Sequence, residues 1–169
     1  HKKMLTIRQA TTDDIPLIHQ LAWKIFPVTY QNLLSSDQSD YMMEWMYSIN
    51  SLKQQMNKEH HTYLLAYKDD ACVGYVSVQP QGENLFHLQK IYVLAEYQSY
   101  GVGKFLFNAA LDYIRHIHPT PFTIELNVNR YNKAVGFYEH MGMHKKSQGD
   151  FEIGNGYFMN DYIMSMTVE

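Results

Sequence analysis

Gln98, Gly101 and Gly103 fall in the stretch QSYGVGKFLFNAAL, residues 98–111, directly after the apolar segment LFHLQKIYVL. Glycine at those two positions lets the backbone approach a ligand closely. The amphipathic pattern that comes next starts a helix there, with unpaired N–H groups and the positive end of its dipole at the glycines. That arrangement suits a phosphate or pyrophosphate. Two other glycine loops do not fit, because a dinucleotide fingerprint needs a third glycine where Leu106 stands and a P-loop needs Ser or Thr where Phe105 follows Lys104. A short glycine turn before a helix also occurs without any ligand, so a second signal is needed to assign one.

That signal comes after the strand-like run FTIELNV, in NRYNKAVGFYEHMGM, with Asn132, Ala134, Phe137, Tyr138 and Gly142. These residues, and their place after the glycine turn, resemble the GNAT superfamily of acyl-CoA-dependent N-acetyltransferases. The opening LTIRQATTDDIPLI is similar to the family's first strand and helix, so the resemblance spans nearly the whole chain and is strongest from Leu85 to Met143. It implies one domain over residues 1–169, an α/β fold with a mixed sheet in a three-layer α-β-α sandwich, and acetyl-CoA as co-substrate. The backbone of Ile91, Tyr92 and Val93 would hold the pantetheine arm. The turn of Gln98, Ser99, Tyr100, Gly101, Val102, Gly103 and Lys104 would hold the pyrophosphate. Lys104 reads equally as a solvated helix residue, and Asn132 either bonds the cofactor arm or caps a helix, a role Asn favours.

Acetyl transfer to an amine needs a neutral amine, a polarised thioester carbonyl and a proton for the departing thiolate. The family's acid is the Tyr of the Phe-Tyr pair, here Tyr138. A phenol near pKa 10 and a thiol near about 8.5 are close enough for that transfer, although a tyrosine on an amphipathic helix can also be core. The carbonyl would be polarised by a backbone N–H near Val93. Many relatives carry a Glu in the central strand where this chain has His87 or Gln89, which leaves the base open between His87, whose ordinary pKa near 6.5 suits the task, Glu125 on the next strand, and a water relay. The resemblance places the acceptor pocket between residues 26 and 50, where Tyr30, Tyr41, Trp45 and Glu44 could hold an alkylammonium by charge and cation–π contacts. The same aromatics at helical spacing also read as core. Asp161 and Tyr162 are edge candidates for the opposite wall.

Lys and Arg number 14 against 17 acids, a net charge of −3, which gives no basic footprint for nucleic acid or an anionic membrane. No apolar run has the length to span a bilayer and the start lacks a signal-peptide core, so a cytoplasmic location is expected. The single Cys72 reads as a small apolar residue, and no metal site is expected. The expected activity is acetyl transfer from acetyl-CoA to a primary amine of a small molecule, polyamine or amino-acid-like, by direct attack in a ternary complex. A protein or peptide acceptor and a non-catalytic CoA-binding regulatory module are the rivals. Self-association into a homodimer stays open.

The elements that must position these residues can be read from periodicity. A strand over residues 4–9 leads through a Thr11/Asp14 capping box into a helix ending near Phe26, with a loop at Pro27. A second helix is capped at Ser35 or Ser36, carries Met42, Trp45, Met46 and Ile49 on one stripe, and runs on into SLKQQMNKE. HTYLLAY, CVGYVSVQ and residues 85–94 are strands. The glycine-led helix carries Val102, Leu106, Ala109, Tyr113 and Ile117 inward and ends before Pro119. A strand over 122–128, a helix from Arg130 to His140 and two strands around GDFEIGNGY complete the order β-α-α-β-β-β-α-β-α-β-β.

Overall fold

A computed structural model describes residues 4–169. The strands are β1 (Leu5–Gln9), β2 (Thr62–Lys68), β3 (Ala71–Gly82), β4 (Leu85–Val93), β5 (Phe122–Asn129), β6 (His144–Gly154) and β7 (Tyr157–Val168). The helices are α1 (Ile15–Tyr30), α2 (Ser36–Tyr47), α3 (Ile49–Asn57), α4 (Val102–Ile117) and α5 (Ala134–His140). One seven-stranded sheet runs in the order β1-β2-β3-β4-β5-β7-β6 and is antiparallel except between β4 and β5. Helices α4 and α5 pack on one face through Val102, Leu106, Phe107 and Tyr138, and α1 to α3 pack on the other through Ile18, Phe26, Met43 and Leu52. This is the expected three-layer sandwich, with one helix more than the periodicity implies.

The differences have local causes. The Thr11/Asp14 box forms as expected but caps a 3-10 turn at Thr12–Asp14, from which α1 continues past Pro27 to Tyr30. Proline costs α1 the hydrogen bond to the Trp23 carbonyl. Trp23 lies on the exposed side, while Phe26 and Tyr30 hold the last turn in the core. Ser48, with extended φ and ψ, ends α2 and caps α3 through the Ser51 N–H, so the helix breaks where a continuation was expected. On α2 the buried residues are Ser39, Met42, Met43 and Tyr47, whereas Trp45 faces solvent, as does Ile49 at the start of α3.

The inward stripe of α4 is Val102, Leu106, Phe107, Ala110, Leu111 and Ile114; Ala109 and Tyr113 are only half-buried and Ile117 is exposed. The expected stripe keeps the helical period but runs along one edge of the buried face, whose centre is turned towards Ala110 and Ile114. Helix α5 starts at Ala134 rather than Arg130, because the side chains of Asn129 and Asn132 accept the backbone N–H groups of Tyr131 and Ala134 and fold those residues into turns.

Two features set how the middle strands of the sheet pack. Gly74 of β3 lies where a Cβ would meet the Tyr92 carbonyl oxygen at 2.6 Å and the Leu106 side chain at 3.2 Å, so glycine is what lets β3, β4 and α4 close up. In β4 the register slips between Ser77↔Lys90 and Val78↔Leu88, leaving Gln89 as a bulge. The bulge reverses the alternation: Phe86, Leu88, Ile91 and Val93 pack with α4, while Lys90 and Tyr92 face α1 to α3. Buried Lys90 donates to the Met46 carbonyl at 3.0 Å, to Gln55 Oε1 at 2.9 Å and to the Tyr63 hydroxyl, and its ammonium stands 4.1 Å from the centre of the Tyr47 ring. All three of its hydrogens therefore have acceptors, although burial draws its pKa well down.

Next to this cluster, His61 Nδ1 lies 3.2 Å from Ser77 Oγ. Burial, reinforced by the charges of Lys90 and His87, lowers the pKa of His61 to about 4. The unfolded chain, with an ordinary histidine near about 6.5, then binds more protons between those values, so stability is complete above pH ~6.5 and declines as pH falls towards 4. Urea titrations at a series of pH values should show a loss of at most about 3 kcal/mol across that window, less where solvent screens the ring. His61→Gln should reduce it to what His87, also lowered by burial, contributes; an equal slope in the variant would assign the acid sensitivity to other groups.

Candidate active site

Strand β4 pairs with β5 only at Leu85↔Thr123, Phe86↔Ile124 and His87↔Glu125. Both strands then run on, to Val93 and Asn129, without pairing. Their separation opens a cleft of about 810 Å³ through the middle of the sheet. One wall is the free edge of β4 from Leu88 to Val93, and the other is Leu126 to Val128 of β5. The first turn of α4 closes one end with Gly101, Gly103 and Lys104; Phe137 and Tyr138 of α5 stand over the middle; and Ile25, Val28 and Tyr30 of α1 reach in from the opposite layer.

The anion-binding end is built by α4. Gly101 has φ +74°, the left-handed region that glycine enters freely, and it sets the helix going so that the first intrahelical bond is Phe105 N–H to the Gly101 carbonyl at 3.0 Å. The N–H groups of Val102, Gly103 and Lys104 precede that bond and have no partner within the helix. Lys104, Lys24 and Lys133 line the same cleft. Backbone donors, a helix dipole and a rim of lysines make a site for a polyanionic ligand with an extended arm, because the unpaired β4 edge offers that arm backbone partners.

Tyr138 is buried, its ring 5.4 Å from that of Phe137, and it lines the cleft. Burial raises its phenol pKa, with the nearby Tyr30 adding to the effect, so it is protonated at neutral pH. The hydroxyls of Tyr30 and Tyr92 meet at 3.0 Å. His87 lies where the strands part; its Nε2 is 3.1 Å from Asn127 Oδ1, and its buried Nδ1 has no hydrogen-bond partner. Burial lowers the pKa of His87, against partial compensation from Asn127 and Glu125.

Of the residues expected at the cofactor, Ile91, Tyr92, Val93, Gln98, Gly101, Gly103, Lys104 and Asn132 line the cleft. Val102 does not: its side chain is fully buried in the core, and only its N–H points out of the helix start. Ser99 and Tyr100 also lie off the cleft, Tyr100 half-exposed with the Lys68 ammonium 3.4 Å from its ring centre. Asn132 Oδ1 accepts from the Ala134 N–H at 2.9 Å, the capping role, while the residue still faces the cleft.

The acceptor expectations fare less well. Tyr30 lines the cleft, but Tyr41, Glu44 and Trp45 do not: the Tyr41 hydroxyl donates to the Ile153 carbonyl at 2.8 Å and Glu44 and Trp45 are exposed on α2. Neither candidate base lines the cleft: His87 stands just short of it, against Asn127, and Glu125 is tied to Lys146 at 2.7 Å. Cys72 is half-buried on β3 and away from the cleft. Sequence reasoning missed Lys24, Lys133 and Asn127; alternation with Glu125 on β5 was the signal that could have found Asn127.

A family model described as an acetyltransferase (GNAT) domain matches residues 32–163. The chain belongs to the GNAT acetyltransferases. It is similar in fold to the PaiA N-acetyltransferase of Thermoplasma acidophilum in complex with coenzyme A, at 22% identity, TM-score 0.74, and coverage of 98% of this chain and 99% of that one. The spermidine/spermine N-acetyltransferase SpeG of Vibrio cholerae is similar at 22% identity and TM-score 0.67, over 96% of this chain and 93% of that one. The ribosomal-protein-S18-alanine N-acetyltransferase of Escherichia coli is similar at 16% identity and TM-score 0.72, over 98% and 94%. As a GNAT enzyme the protein is an N-acetyltransferase with acetyl-CoA as co-substrate, and the polyanion end of the cleft fits that molecule.

A Cβ at Gly103 would stand 3.5 Å from Phe137 Cζ, an ordinary contact, so Gly103→Val should fold with little change in Tm. Its branches would project into the anion end. Calorimetric titration should show acetyl-CoA affinity reduced at least about tenfold, ~1.4 kcal/mol. Equal affinity would remove Gly103 from the cofactor turn.

Proposed function

We propose that the enzyme passes the acetyl group of acetyl-CoA directly to the primary amine of a small molecule, of the polyamine or amino-acid-like class, while both are bound. The observation that carries this reading is the parting of β4 from β5. It joins the two faces of the sheet through one cleft, with the α4 donors at one end and Tyr30 of α1 at the other. An acceptor entering from the α1 side meets the thioester held along β4 with no need for an acyl-enzyme. A single cleft that also holds the acetyl arm leaves room for a compact amine, and a polyamine enzyme is among the similar folds.

In this reading the β4 edge and the first turn of α4 hold the co-substrate, and a β4 N–H near Val93 polarises the carbonyl. Lys104 and Lys133, on the α4 and α5 side of the cleft, balance the phosphate charge. Tyr138, kept protonated by burial, gives its proton to the departing thiolate. His87, neutral above its lowered pKa, is the candidate for the amine proton; it stands off the cleft with Nδ1 buried, so the proton reaches it through water admitted past Leu88, the first β4 residue on the wall. Glu125, held by Lys146, is the weaker candidate for that role.

Thiol release from acetyl-CoA, followed across polyamines, amino acids, aminoglycosides and short peptides, tests the assignment. Small amines should support turnover. Turnover with peptides alone would move the acceptor class to proteins, and no release with any amine would leave a CoA-binding module. With an active acceptor, Tyr138→Phe should lower kcat about 10²-fold while acetyl-CoA affinity holds; unchanged turnover would exclude Tyr138 as the acid. The acidic limb of kcat/KM should fall below pH ~6.5, disappear in His87→Ala and persist in Glu125→Gln. The reverse pattern would assign the base to Glu125, and a limb kept by both variants would belong to the amine itself.

A further inference from the structure

Asp161 of β7 is buried, and one of its oxygens, Oδ1, has no hydrogen-bond partner. Its other oxygen accepts from Asn127 Nδ2 at 3.4 Å, and Asn127 Oδ1 in turn faces His87 Nε2 at 3.1 Å. The contacts step diagonally across three strands. Glu125 is the register partner of His87 and Asn127 lies two residues beyond it; Ile163 is opposite Asn127 and Asp161 lies two residues before it. Diagonal neighbours on one face of a sheet are within reach of polar side chains. The line crosses the sheet where β4 and β5 part, and Asn127 itself forms cleft wall.

We propose that Asp161 and Asn127 are positioning residues that fix the tautomer of His87. A carboxylate accepts only, so Asn127 must turn its amide nitrogen to Asp161 and its carbonyl oxygen to His87. A carbonyl also accepts only, so Nε2 of His87 must carry the hydrogen and donate it. The lone pair is then on Nδ1, the nitrogen without a partner, and that is the atom that receives a proton. The charge at the far end of the line favours the imidazolium once formed. Without Asp161 the Asn127 amide is free to turn over and offer Nδ2 to Nε2, which would move the hydrogen to Nδ1 and leave no acceptor there. The other groups acting on His87 are Glu125 and Gln89, with His61 near enough to feel its charge; burial raises the pKa of Asp161, while Asn127 and Arg130 favour its carboxylate form.

The inference rests on His87 as the base, but its first test does not need turnover. In protein labelled with ¹⁵N-histidine, long-range proton–nitrogen correlations identify the protonated ring nitrogen. Wild type above pH ~6.5 should show the Nε2–H form of His87, and Asp161→Leu and Asn127→Ala should each show more of the Nδ1–H form. Asn127→Asp should keep Nε2–H, because the new side chain shares one proton with Asp161 and presents an accepting oxygen to His87. Asp161→Leu should lower kcat about tenfold at unchanged KM for acetyl-CoA. A wild-type Nδ1–H tautomer, or a tautomer ratio unmoved by either variant, would overturn the proposal, and the wild-type measurement decides even if a variant does not fold. A tautomer shift without any change in kcat or its pH limb would keep the hydrogen-bond line and overturn His87 as the base.

Discussion

Everything chemical in this protein depends on two adjacent strands that stop pairing. After His87 and Glu125, β4 and β5 diverge, and a sheet that would otherwise wall one helical layer off from the other acquires an opening. Unpaired backbone groups inside a protein are costly, and here they line a cleft large enough to admit a ligand that can pair with them. Antiparallel partners on the outer sides, β3 for β4 and β7 for β5, hold the two strands in place while their inner edges stay free.

The bulge at Gln89 belongs to the same constraint. It begins where the strands part and turns Lys90 towards α2 and α3, where the ammonium ties the last turn of α2 and the side chains of Gln55 and Tyr63 to β4. Around it the phenols of Tyr47, Tyr63, Tyr75 and Tyr92 are all pushed up in pKa by burial, which keeps them protonated beside the Lys90 amine. The rings of Tyr47, Tyr75 and Tyr92 stack edge-on or tilted about 6 Å apart, carrying contact from α2 through β3 to the cleft wall.

Which of these features could be read in the amino-acid order depends on how local their causes are. Gly101 and Gly103 before an amphipathic run announce a helix start because both the turn and the helix are set by neighbouring residues. The start of α5 was misplaced because Asn129 and Asn132 compete for backbone N–H groups that a helix would use. The bulge left one mark that a regular-strand reading passes over, two consecutive polar residues at Gln89 and Lys90 that break the alternation of Phe86 and Leu88 with Ile91 and Val93, and the register with β3 shows the slip there. For the same reason His87 was expected to share a face with Ile91, which instead packs with α4. Tyr41, Glu44 and Trp45 were expected at the acceptor because aromatic and acidic residues alternate there; the rotation of α2, set by Met42, Met43 and Tyr47, turns them elsewhere. The line from His87 to Asp161 joins residues far apart in the chain, which no local pattern links.

The reversal of alternation at Gln89 has a consequence for how such an enzyme can change over generations. Residues of β4 that touch the α4 layer and residues that touch the α1 to α3 layer interleave along one strand, but each contacts only its own side. Under the proposed assignment of the site, a substitution at Tyr92 remodels the surroundings of Tyr30 while Ile91 and Val93 continue to pack with α4. The strand is a partition with separately editable surfaces, so a lineage can exchange the amine it accepts and inherit its acetyl donor unaltered.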